Sequence, residues 1–274
     1  MTLRQIAERL AEAGIEGALH EALLLAEGFT GRSYSSLRAA VDEEFTMSDE
    51  FSEAVGKRCS RYPLQYILGE WEFMGLPFAV NENCLIPRSD TEILCEYIIE
   101  NAPKNGRILD LCTGSGCIIA AVLHYREDMT GAAVELYPET MGQAEENFRR
   151  LGLSERVQTI LGDASVDLLS EGEGYDVISA NPPYVTAEEM LRLEPELFAE
   201  PPHALTDGGD GLSLIRAIID SYTPHLSADG FMIIEHGAAQ SDAVIGYAKE
   251  RGLSAEPLED YGGNTRAAVI RRIK

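Results

Sequence analysis

The sequence predicts an α/β domain with a mostly parallel sheet, preceded by a small helical bundle. From residue 86 onward, segments typical of strands and segments typical of helices alternate along the chain. Such alternation favours parallel strands whose crossover helices cover both faces of one sheet. Before residue 70, by contrast, the apolar residues recur mainly with helical spacing. The predicted fold class is therefore α/β with an added helical segment.

The N-terminal bundle is predicted from caps as well as from periodicity. Thr2 and Gln5 fit a capping box at the start of the first helix. A second apolar helical pattern follows, and Ser48 is a typical cap for a third helix. Nothing in this bundle indicates catalysis.

A hairpin and six strands are predicted after the bundle. Aromatic and β-forming residues over 71–85 favour a hairpin, with Gly75 and Pro77 as its turn residues. The predicted strands are Arg107–Leu111, Ala132–Leu136, Val157–Leu161, Asp176–Ala180, Phe231–Glu235 and Ala267–Ile273. The predicted helices between them are Cys117–Tyr125, Glu139–Leu151, Leu212–Tyr222 and Ala239–Arg251. Ligands of such sheets bind at the carboxyl ends of the strands.

Net charge and residue content argue against binding to nucleic acids, membranes or metals. The formal net charge is −24, which opposes nonspecific attraction to nucleic acids and to anionic membranes. Five cysteines without a CxxC pair predict reduced thiols and a cytoplasmic location. No apolar run reaches the length of a membrane span, and the five histidines lack metal-ligand spacing. We expect no metal, no membrane contact and no stable nucleic-acid partner.

A glycine-rich turn follows the strand Arg107–Leu111 and opens the next helix. Gly114 and Gly116 allow the backbone to turn tightly and to approach a ligand closely. The third glycine of the dinucleotide fingerprint is missing, so this turn alone is also consistent with a simple strand–helix connection. The acids around it strengthen the prediction of a binding site.

Three acids stand at the ends of consecutive strands. Asp110, Glu135 and Asp163 would surround one crevice, and an acid about 20 residues beyond the glycines can accept hydrogen bonds from ribose hydroxyls. A cationic, ribose-bearing cofactor suits this set better than a pyrophosphate dinucleotide does. S-adenosylmethionine, which has a sulfonium, an ammonium and a ribose, is the predicted cofactor.

The segment Asn181-Pro182-Pro183-Tyr184 follows the fourth strand and predicts the chemistry. The two prolines restrict the backbone and provide no amide donors, so carbonyl oxygens of the segment are left to accept hydrogen bonds. The Asn181 side chain adds another acceptor, and Tyr184 can lie against a planar group. Two fixed acceptors would hold a planar NH2 group and aim its nitrogen at an electrophilic methyl. Both a carboxamide and an exocyclic base amine fit this description, and a rigid proline loop is the alternative without chemistry.

The chain closely resembles the HemK/PrmC family of peptide-chain release factor glutamine N5-methyltransferases, within the class I S-adenosylmethionine-dependent methyltransferases. The resemblance rests on Pro63–Glu70, Leu85–Glu92, Ile108–Gly116, Asn181–Tyr184 and Asp207–Leu212. It implies a Rossmann-like domain with a mostly parallel seven-stranded sheet over 86–274, a hairpin linker over 71–85 and a helical substrate-recognition domain over 1–70. It also implies release factors as partners and the glutamine of a Gly-Gly-Gln loop as the methylated residue.

Motif residues and strand-end acids together define the expected site. Cofactor contacts are expected at Asp110, Thr113, Gly114, Ser115, Gly116, Cys117, Glu135, Asp163, Ala164 and Asn181. Catalysis is expected from Asn181, Pro182 and Tyr184, and substrate binding from these three with Pro183. Arg88, Gln65 and Tyr66 are interpreted as structural residues of the domain junction, with substrate contact as the alternative. The pair Glu235-His236 is interpreted as a strand end packed near the sheet edge, with a metal or acid–base pair as the alternative.

Several positions depart from the family pattern. Glu135 stands where the family usually has Asp, Cys112 replaces a common glycine, and Ser89 replaces a common proline. Ala164 stands where a large residue is frequent, and 262–266 is a divergent form of a Gly-Arg-Asp-Arg stretch.

Two other functions compete with glutamine methylation. Adenine-N6 methylation uses the same tetrapeptide on another planar amine, but such an enzyme needs phosphate contacts, which a net charge of −24 disfavours. A protein that only binds the cofactor or a release factor would not need both the tetrapeptide and the glycine turn. We expect a monomeric glutamine methyltransferase.

Overall fold

The computed structural model describes residues 1–170 and 174–273. Its contacts divide the chain into two compact units. The first comprises residues 1–70 together with the short segment 194–199, and the second comprises 71–193 and 200–274. The chain therefore enters the first unit a second time, more than a hundred residues after leaving it, which the sequence does not predict.

Five helices form the first unit. They are α1 (Leu3–Glu12), α2 (Ala18–Thr30), α3 (Tyr34–Ala39), α4 (Asp49–Cys59) and α5 (Leu64–Leu68). The predicted capping box at Thr2 and the Ser48 cap of α4 are both present. Leu3, Ile6 and Leu10 lie on the buried face of α1, as the helical spacing predicts.

The segment 194–199 is held in the first unit by buried ion pairs. Arg58 of α4 is only 5% exposed, and its guanidinium binds Glu21 at 2.5 Å and Glu196 at 3.0 Å. Arg61 binds Glu196 as well, at 2.7 Å. Arg58 also donates to the carbonyl of Tyr62 at 3.3 Å, so one buried cation joins two helices and a distant loop.

The hairpin consists of β1 (Glu70–Phe73) and β2 (Leu76–Ala79). Its turn is formed by Met74 and Gly75, both with positive φ, which suits the twist of a two-residue hairpin loop. Pro77, predicted as a turn residue, instead lies in β2, where it is exposed. An edge strand tolerates proline because one side of it needs no ladder hydrogen bond.

A seven-stranded sheet forms the centre of the second unit within the described residues. Its order is β5-β4-β3-β6-β7-β9-β8, and β9 runs antiparallel to both β7 and β8 while the other pairs are parallel. The strands are β3 (Arg107–Leu111), β4 (Thr130–Glu135), β5 (Val157–Leu161), β6 (Tyr175–Ala180), β7 (Leu226–Glu235), β8 (Leu253–Glu259) and β9 (Thr265–Arg272). This confirms the predicted α/β class with a mostly parallel sheet.

Helices cover both faces of this sheet. They are α6 (Glu92–Asn101), α7 (Cys117–Tyr125), α8 (Pro138–Arg150), α9 (Pro202–Leu205), α10 (Ser213–Tyr222) and α11 (Ser241–Glu250). One apolar cluster includes α6, α7 and α8, and a second includes α10 and α11. No helix in the described ranges is both long enough and apolar enough to span a membrane.

The strand order reverses direction beside β3, and this positions the site. The chain runs outward from β3 to β4 and β5, then returns to place β6 on the other side of β3. Crossover helices on either side leave a crevice at such a point, outside the carboxyl ends of the strands. The ends of β3 and β6 carry the glycine turn and the Asn-Pro-Pro-Tyr segment.

Replacing Arg58 with alanine tests the buried ion pairs of the first unit. The change leaves Glu21 and Glu196 without their shared cation, so we expect a loss of about 3 kcal/mol in the free energy of unfolding. Arg4→Ala is the matched control, since the Arg4–Asp42 pair is exposed and screened by solvent, so its loss should change stability little. Urea unfolding followed by circular dichroism measures both variants. Equal losses in the two variants would contradict the role of Arg58.

Candidate active site

A cavity lies at the carboxyl ends of β3, β4, β5 and β6. It is lined by residues of the glycine turn, of the turns after β4 and β5, of the Asn-Pro-Pro-Tyr segment and of the stretch that leads into α6. The expected site residues on its wall are Thr113, Gly114, Ser115, Cys117, Glu135, Asp163, Ala164, Asn181 and Pro183. His203 and Ala204 of α9 and Leu214 of α10 also line it, so residues from seven separate parts of the sequence meet around one space.

Asp110 lies beneath this cavity and is not one of its lining residues. Its carboxylate is 0% exposed and accepts hydrogen bonds from Thr113 Oγ1 at 2.5 Å and from Ser179 Oγ at 2.7 Å. Burial raises the pKa of Asp110 to about 6. The structure therefore gives Asp110 the role of holding the glycine turn against β6, and Ser179 is a partner that sequence reasoning missed.

The glycine turn is shaped by packing as well as by conformation. A Cβ atom at Gly116 would lie 2.6 Å from the Phe148 ring of α8, so only glycine lets α7 and α8 approach this closely. Cys112 has φ +56°, a left-handed conformation that side chains rarely adopt. This conformation explains why glycine is common at the position of Cys112 in the family that the sequence resembles.

Glu135 joins two of the loops that line the cavity. Its Oε2 accepts a hydrogen bond from the Gly114 amide at 3.0 Å, and its Oε1 accepts from the amides of Leu136 and Tyr137 at 2.8 and 3.2 Å. An ionised carboxylate has about four acceptor positions. One therefore remains for a ligand hydroxyl, and the longer side chain that departs from the family pattern is fully compatible with the cavity.

The far wall of the cavity combines one acid with apolar and aromatic groups. Asp163 and Ala164 both line it, and Ala164 is only 5% exposed. Tyr137 lies against His203 with ring centroids 3.7 Å apart, and both rings line the cavity. Desolvation lowers the pKa of His203 and favours its neutral form. His203 was not predicted, because it lies more than sixty residues beyond Tyr137.

The Asn-Pro-Pro-Tyr segment is oriented by hydrogen bonds at both ends. Asn181 Nδ2 donates to Thr91 Oγ1 at 3.3 Å. The Tyr184 hydroxyl donates to Glu235 Oε1 at 2.9 Å, and burial beside that carboxylate raises the pKa of the Tyr184 hydroxyl. Asn181 and Pro183 line the cavity, whereas Tyr184 points its hydroxyl toward the sheet.

Glu235 corrects a sequence interpretation. The pair Glu235-His236 was interpreted as the packed end of a strand, without a role at the site. Glu235 is indeed buried at the end of β7, but its two oxygens accept hydrogen bonds from Tyr184 and, at 2.7 Å, from Thr91 Oγ1. The position of Glu235 in the sequence could have indicated this contact, because Glu235 ends β7, and β7 pairs directly with β6, which leads into Asn181.

The motif Asp207–Leu212 supports the same segment from the other side. Gly211 has φ +70°, and a Cβ there would lie 2.0 Å from the carbonyl oxygen of Tyr184. Gln240 Nε2 donates to that same carbonyl at 2.9 Å. Asp207 accepts from the backbone amides of Gly209, Gly211 and Ser213, which fixes the turn. Gly211 thus allows the backbone of this motif to approach the backbone at Tyr184 closely.

The chain has relatives with known names along almost its whole length. A family model described as the PrmC N-terminal domain matches residues 2–69, and the methyltransferase small domain matches 89–229. A release factor glutamine methyltransferase of Moorella thermoacetica is 34% identical over 99% of both chains. That of Cereibacter sphaeroides is 36% identical over 98% of this chain and 96% of its own.

The chain belongs to the release factor glutamine methyltransferase family. This confirms the family that the sequence motifs predict.

Solved structures with low sequence identity to this chain have the same fold. The hMettl16 catalytic domain in complex with MAT2A 3'UTR hairpin 1 has a TM-score of 0.58 and 15% identity, over 83% of this chain and 82% of that one. A ribosomal protein L11 methylase from Lactobacillus delbrueckii has a TM-score of 0.50 and 19% identity, over 71% and 84%. Such similarities establish the Rossmann-like methyltransferase fold.

The motif Leu85–Glu92 of this family connects the cavity to the rest of the unit. Arg88 lines the cavity and forms an ion pair with Glu200, which also accepts from the Ile86 amide at 3.1 Å. Asp90 binds Arg266 of the divergent C-terminal stretch at 2.6 Å. Arg88 therefore has a structural contact, its ion pair with Glu200, and in addition it lines the cavity.

The thiols around the site are poor nucleophiles. All five cysteines are free. Burial raises the pKa of Cys117 to about 12 and raises that of Cys112 as well. Among the residues that the structure describes, no cluster of three or more histidines, cysteines and acids has metal-binding geometry. The chemistry of the site therefore rests on oxygen and amide groups.

Replacing Asp110 with asparagine tests the buried carboxylate. An exposed aspartate titrates near pH 4, so with a pKa of about 6 the folded protein binds this proton more tightly than the unfolded chain does. Wild-type stability therefore falls as the pH rises from about 4 to about 6. Relative to Asp110→Asn, we expect the wild type to lose about 1 kcal/mol of unfolding free energy between pH 5 and pH 7. Urea titrations at both pH values measure this, and a pH-independent difference would contradict the raised pKa.

Proposed function

We propose that this protein transfers a methyl group from S-adenosylmethionine to the side-chain amide nitrogen of the glutamine in the Gly-Gly-Gln motif of peptide-chain release factors. The observation that carries the proposal is Asn181, whose carboxamide lines the cavity while its nitrogen is held by Thr91. The names of the relatives, which cover nearly the whole chain, point to the same substrate.

The cavity fits S-adenosylmethionine by charge and by shape. Glu135 retains an acceptor position for a ribose hydroxyl, and Asp163 adds a second carboxylate on the wall. Apolar side chains such as Ile118, Val134 and Leu136 offer surfaces for an adenine ring. Cationic groups of the cofactor are favoured among these acids, whereas a pyrophosphate would be repelled. When bound, the cofactor supplies an electrophilic methyl group.

Asn181 and Pro182 are the proposed holders of the substrate amide. A glutamine side-chain NH2 group has two protons, which the Asn181 side-chain oxygen and the Pro182 carbonyl would accept. An amide nitrogen is a weak nucleophile, because its lone pair is delocalised into the carbonyl. Hydrogen bonds to both protons stabilise the positive charge that develops on nitrogen during transfer. Correct alignment of nitrogen and methyl group contributes further.

No tyrosinate is needed in this reaction. The Tyr184 hydroxyl donates to Glu235, and its raised pKa keeps it protonated. Tyr184 is therefore proposed to position the segment and to offer its ring as a surface for the substrate. The methyl–sulfur bond breaks as the methyl–nitrogen bond forms, so S-adenosylhomocysteine is the second product, and the extra proton leaves the nitrogen for solvent.

Glutamine methylation is favoured over adenine methylation of nucleic acid. A formal net charge of −24 provides no general attraction to phosphate. Residues 2–69 match the PrmC N-terminal model, which supports a recognition domain of the release factor enzymes over 1–70. We propose action as a monomer in the cytoplasm, without a stable nucleic-acid partner.

Mass spectrometry of the methylated product tests the substrate. The protein is incubated with a release factor and isotopically labelled S-adenosylmethionine, and tryptic peptides are sequenced. We expect one labelled methyl group on the glutamine of Gly-Gly-Gln, and none in a release factor with that glutamine changed to alanine. Label transferred to DNA or RNA in parallel reactions, with none on the release factor, would refute the proposal.

Replacing Asn181 with alanine tests the amide-holding role. Loss of one acceptor for a developing charge is expected to lower kcat by about 100- to 1,000-fold. Affinity for S-adenosylmethionine, measured by calorimetry, should change by less than about fivefold, because the other cavity residues remain. Asn101→Ala is the control, since Asn101 is an exposed asparagine at the end of α6 that donates to Tyr97. Normal turnover in Asn181→Ala would refute the mechanism.

A further inference from the structure

Thr91 and Glu235 form a hydrogen-bonded chain that ends at Asn181. Thr91 Oγ1 donates to Glu235 Oε2 at 2.7 Å and accepts from Asn181 Nδ2 at 3.3 Å. Thr91 and Glu235 are each only 2% exposed, so the hydrogen bond between them is shielded from bulk water. The three residues come from different elements: the turn before α6, the end of β7 and the end of β6.

The direction of each bond in this chain follows from the protons available. The Thr91 hydroxyl has a single proton, and in the structure that proton points to Glu235 Oε2, whose partner oxygen accepts from the Tyr184 hydroxyl. Once that proton is donated to Glu235, the Thr91 oxygen can only accept. The end of the Asn181 carboxamide that faces Thr91 must therefore be the NH2 end. Among the described residues, Asn181 Oδ1 has no hydrogen-bond partner.

We propose that Thr91 and Glu235 are positioning residues that fix which end of the Asn181 carboxamide faces the substrate. This inference rests on the proposed function, in which the Asn181 oxygen accepts a proton of the substrate NH2 group. The two ends of a carboxamide have nearly the same shape, so packing alone does not distinguish them. A reversed Asn181 would direct its own NH2 group at the substrate NH2 group, and the two donors would repel each other.

The surroundings of Glu235 are consistent with its acceptor role. Its other oxygen accepts from the Tyr184 hydroxyl at 2.9 Å. Burial raises the pKa of Glu235, while the hydrogen bonds from Thr91 and Tyr184 and the charge of Arg266 act against that shift. One carboxylate thus fixes both the first and the last residue of Asn181–Tyr184.

Thr91→Val and Thr91→Ser separate the hydroxyl from the rest of the side chain. Valine keeps the shape but removes the acceptor, so Asn181 can reverse, and we expect kcat for release factor methylation to fall about 10- to 100-fold. Serine keeps the hydroxyl and should retain kcat within about threefold. Affinity for S-adenosylmethionine should be unchanged in both variants. A Thr91→Val enzyme with normal kcat, or a Thr91→Ser enzyme as slow as Thr91→Val, would overturn the proposal.

Aspartate at position 181 gives a readout that a merely structural role of Thr91 would not change. A carboxylate has oxygen at both ends, so it needs no partner to select one. We expect Thr91→Val to cost less than about threefold in kcat when it is added to Asn181→Asp. An equal cost in both backgrounds would show that Thr91 acts by stability alone. If Asn181→Asp has no measurable rate, the valine and serine variants decide the question by themselves.

Two controls complete the design. Thr223 does not line the cavity, and its hydroxyl donates to the Ile219 carbonyl of α10 at 2.6 Å. Thr223→Val removes this hydroxyl and should leave kcat unchanged. Glu235→Met keeps the approximate size of Glu235 but removes both acceptor oxygens, so the Thr91 hydroxyl is free to donate to Asn181, and kcat should fall at least tenfold even if Thr91→Val fails to fold. A wild-type rate in Glu235→Met would contradict the proposal. An inactive wild type would refute the proposed function instead, so the two failures are distinguishable.

Discussion

The buried carboxylate of Glu235 is the interaction on which the geometry of the site depends. It binds Thr91 and Tyr184 at 2.7 and 2.9 Å, and through Thr91 it reaches Asn181. The tetrapeptide itself has few means of fixing its own position, because its two prolines donate no backbone hydrogen bonds. Rigidity must therefore come from neighbouring elements, and the end of the adjacent strand β7 is the nearest available source.

Burying such acids costs stability, and the structure carries this cost at two strand ends, those of β3 and β7. Burial raises the pKa of both Asp110 and Glu235, which means that folding disfavours their charged forms. Hydrogen bonds from Thr113 and Ser179, or from Thr91 and Tyr184, offset part of this cost. Glu135 differs, because it lies on the cavity wall and binds backbone amides. The acids thus divide into two that organise loops and one, Glu135, that is available to a ligand.

The sequence predicts correctly those features that depend on residues close together in the chain. The strand–turn–helix around Gly114, the acid at Glu135 and the cap at Thr2 follow from periodicity and hydrogen-bonding chemistry, and all are present. Strand β8, by contrast, was missed because its residues are mostly exposed or half-buried and include Pro257, which hides the alternation. The roles of Thr91 and His203 were also missed, because a contact between residues far apart in sequence leaves no local pattern. Asp110 was identified as an acid at a strand end, but its depth below the cavity depends on packing.

The shared tetrapeptide limits what the site alone can distinguish. The proposed amide holders Asn181 and Pro182 would accept from any planar NH2 group, whether it belongs to a carboxamide or to a base, so the proposed chemistry does not select a substrate. Selection has to come from surfaces outside the tetrapeptide. The negative charge of the chain disfavours nucleic acid in general, and the first unit, with its buried Arg58, has the family-specific sequence. The Asn-Pro-Pro-Tyr segment belongs to the second unit, whereas the match to the PrmC N-terminal domain lies in the first unit, to which the later segment 194–199 also belongs.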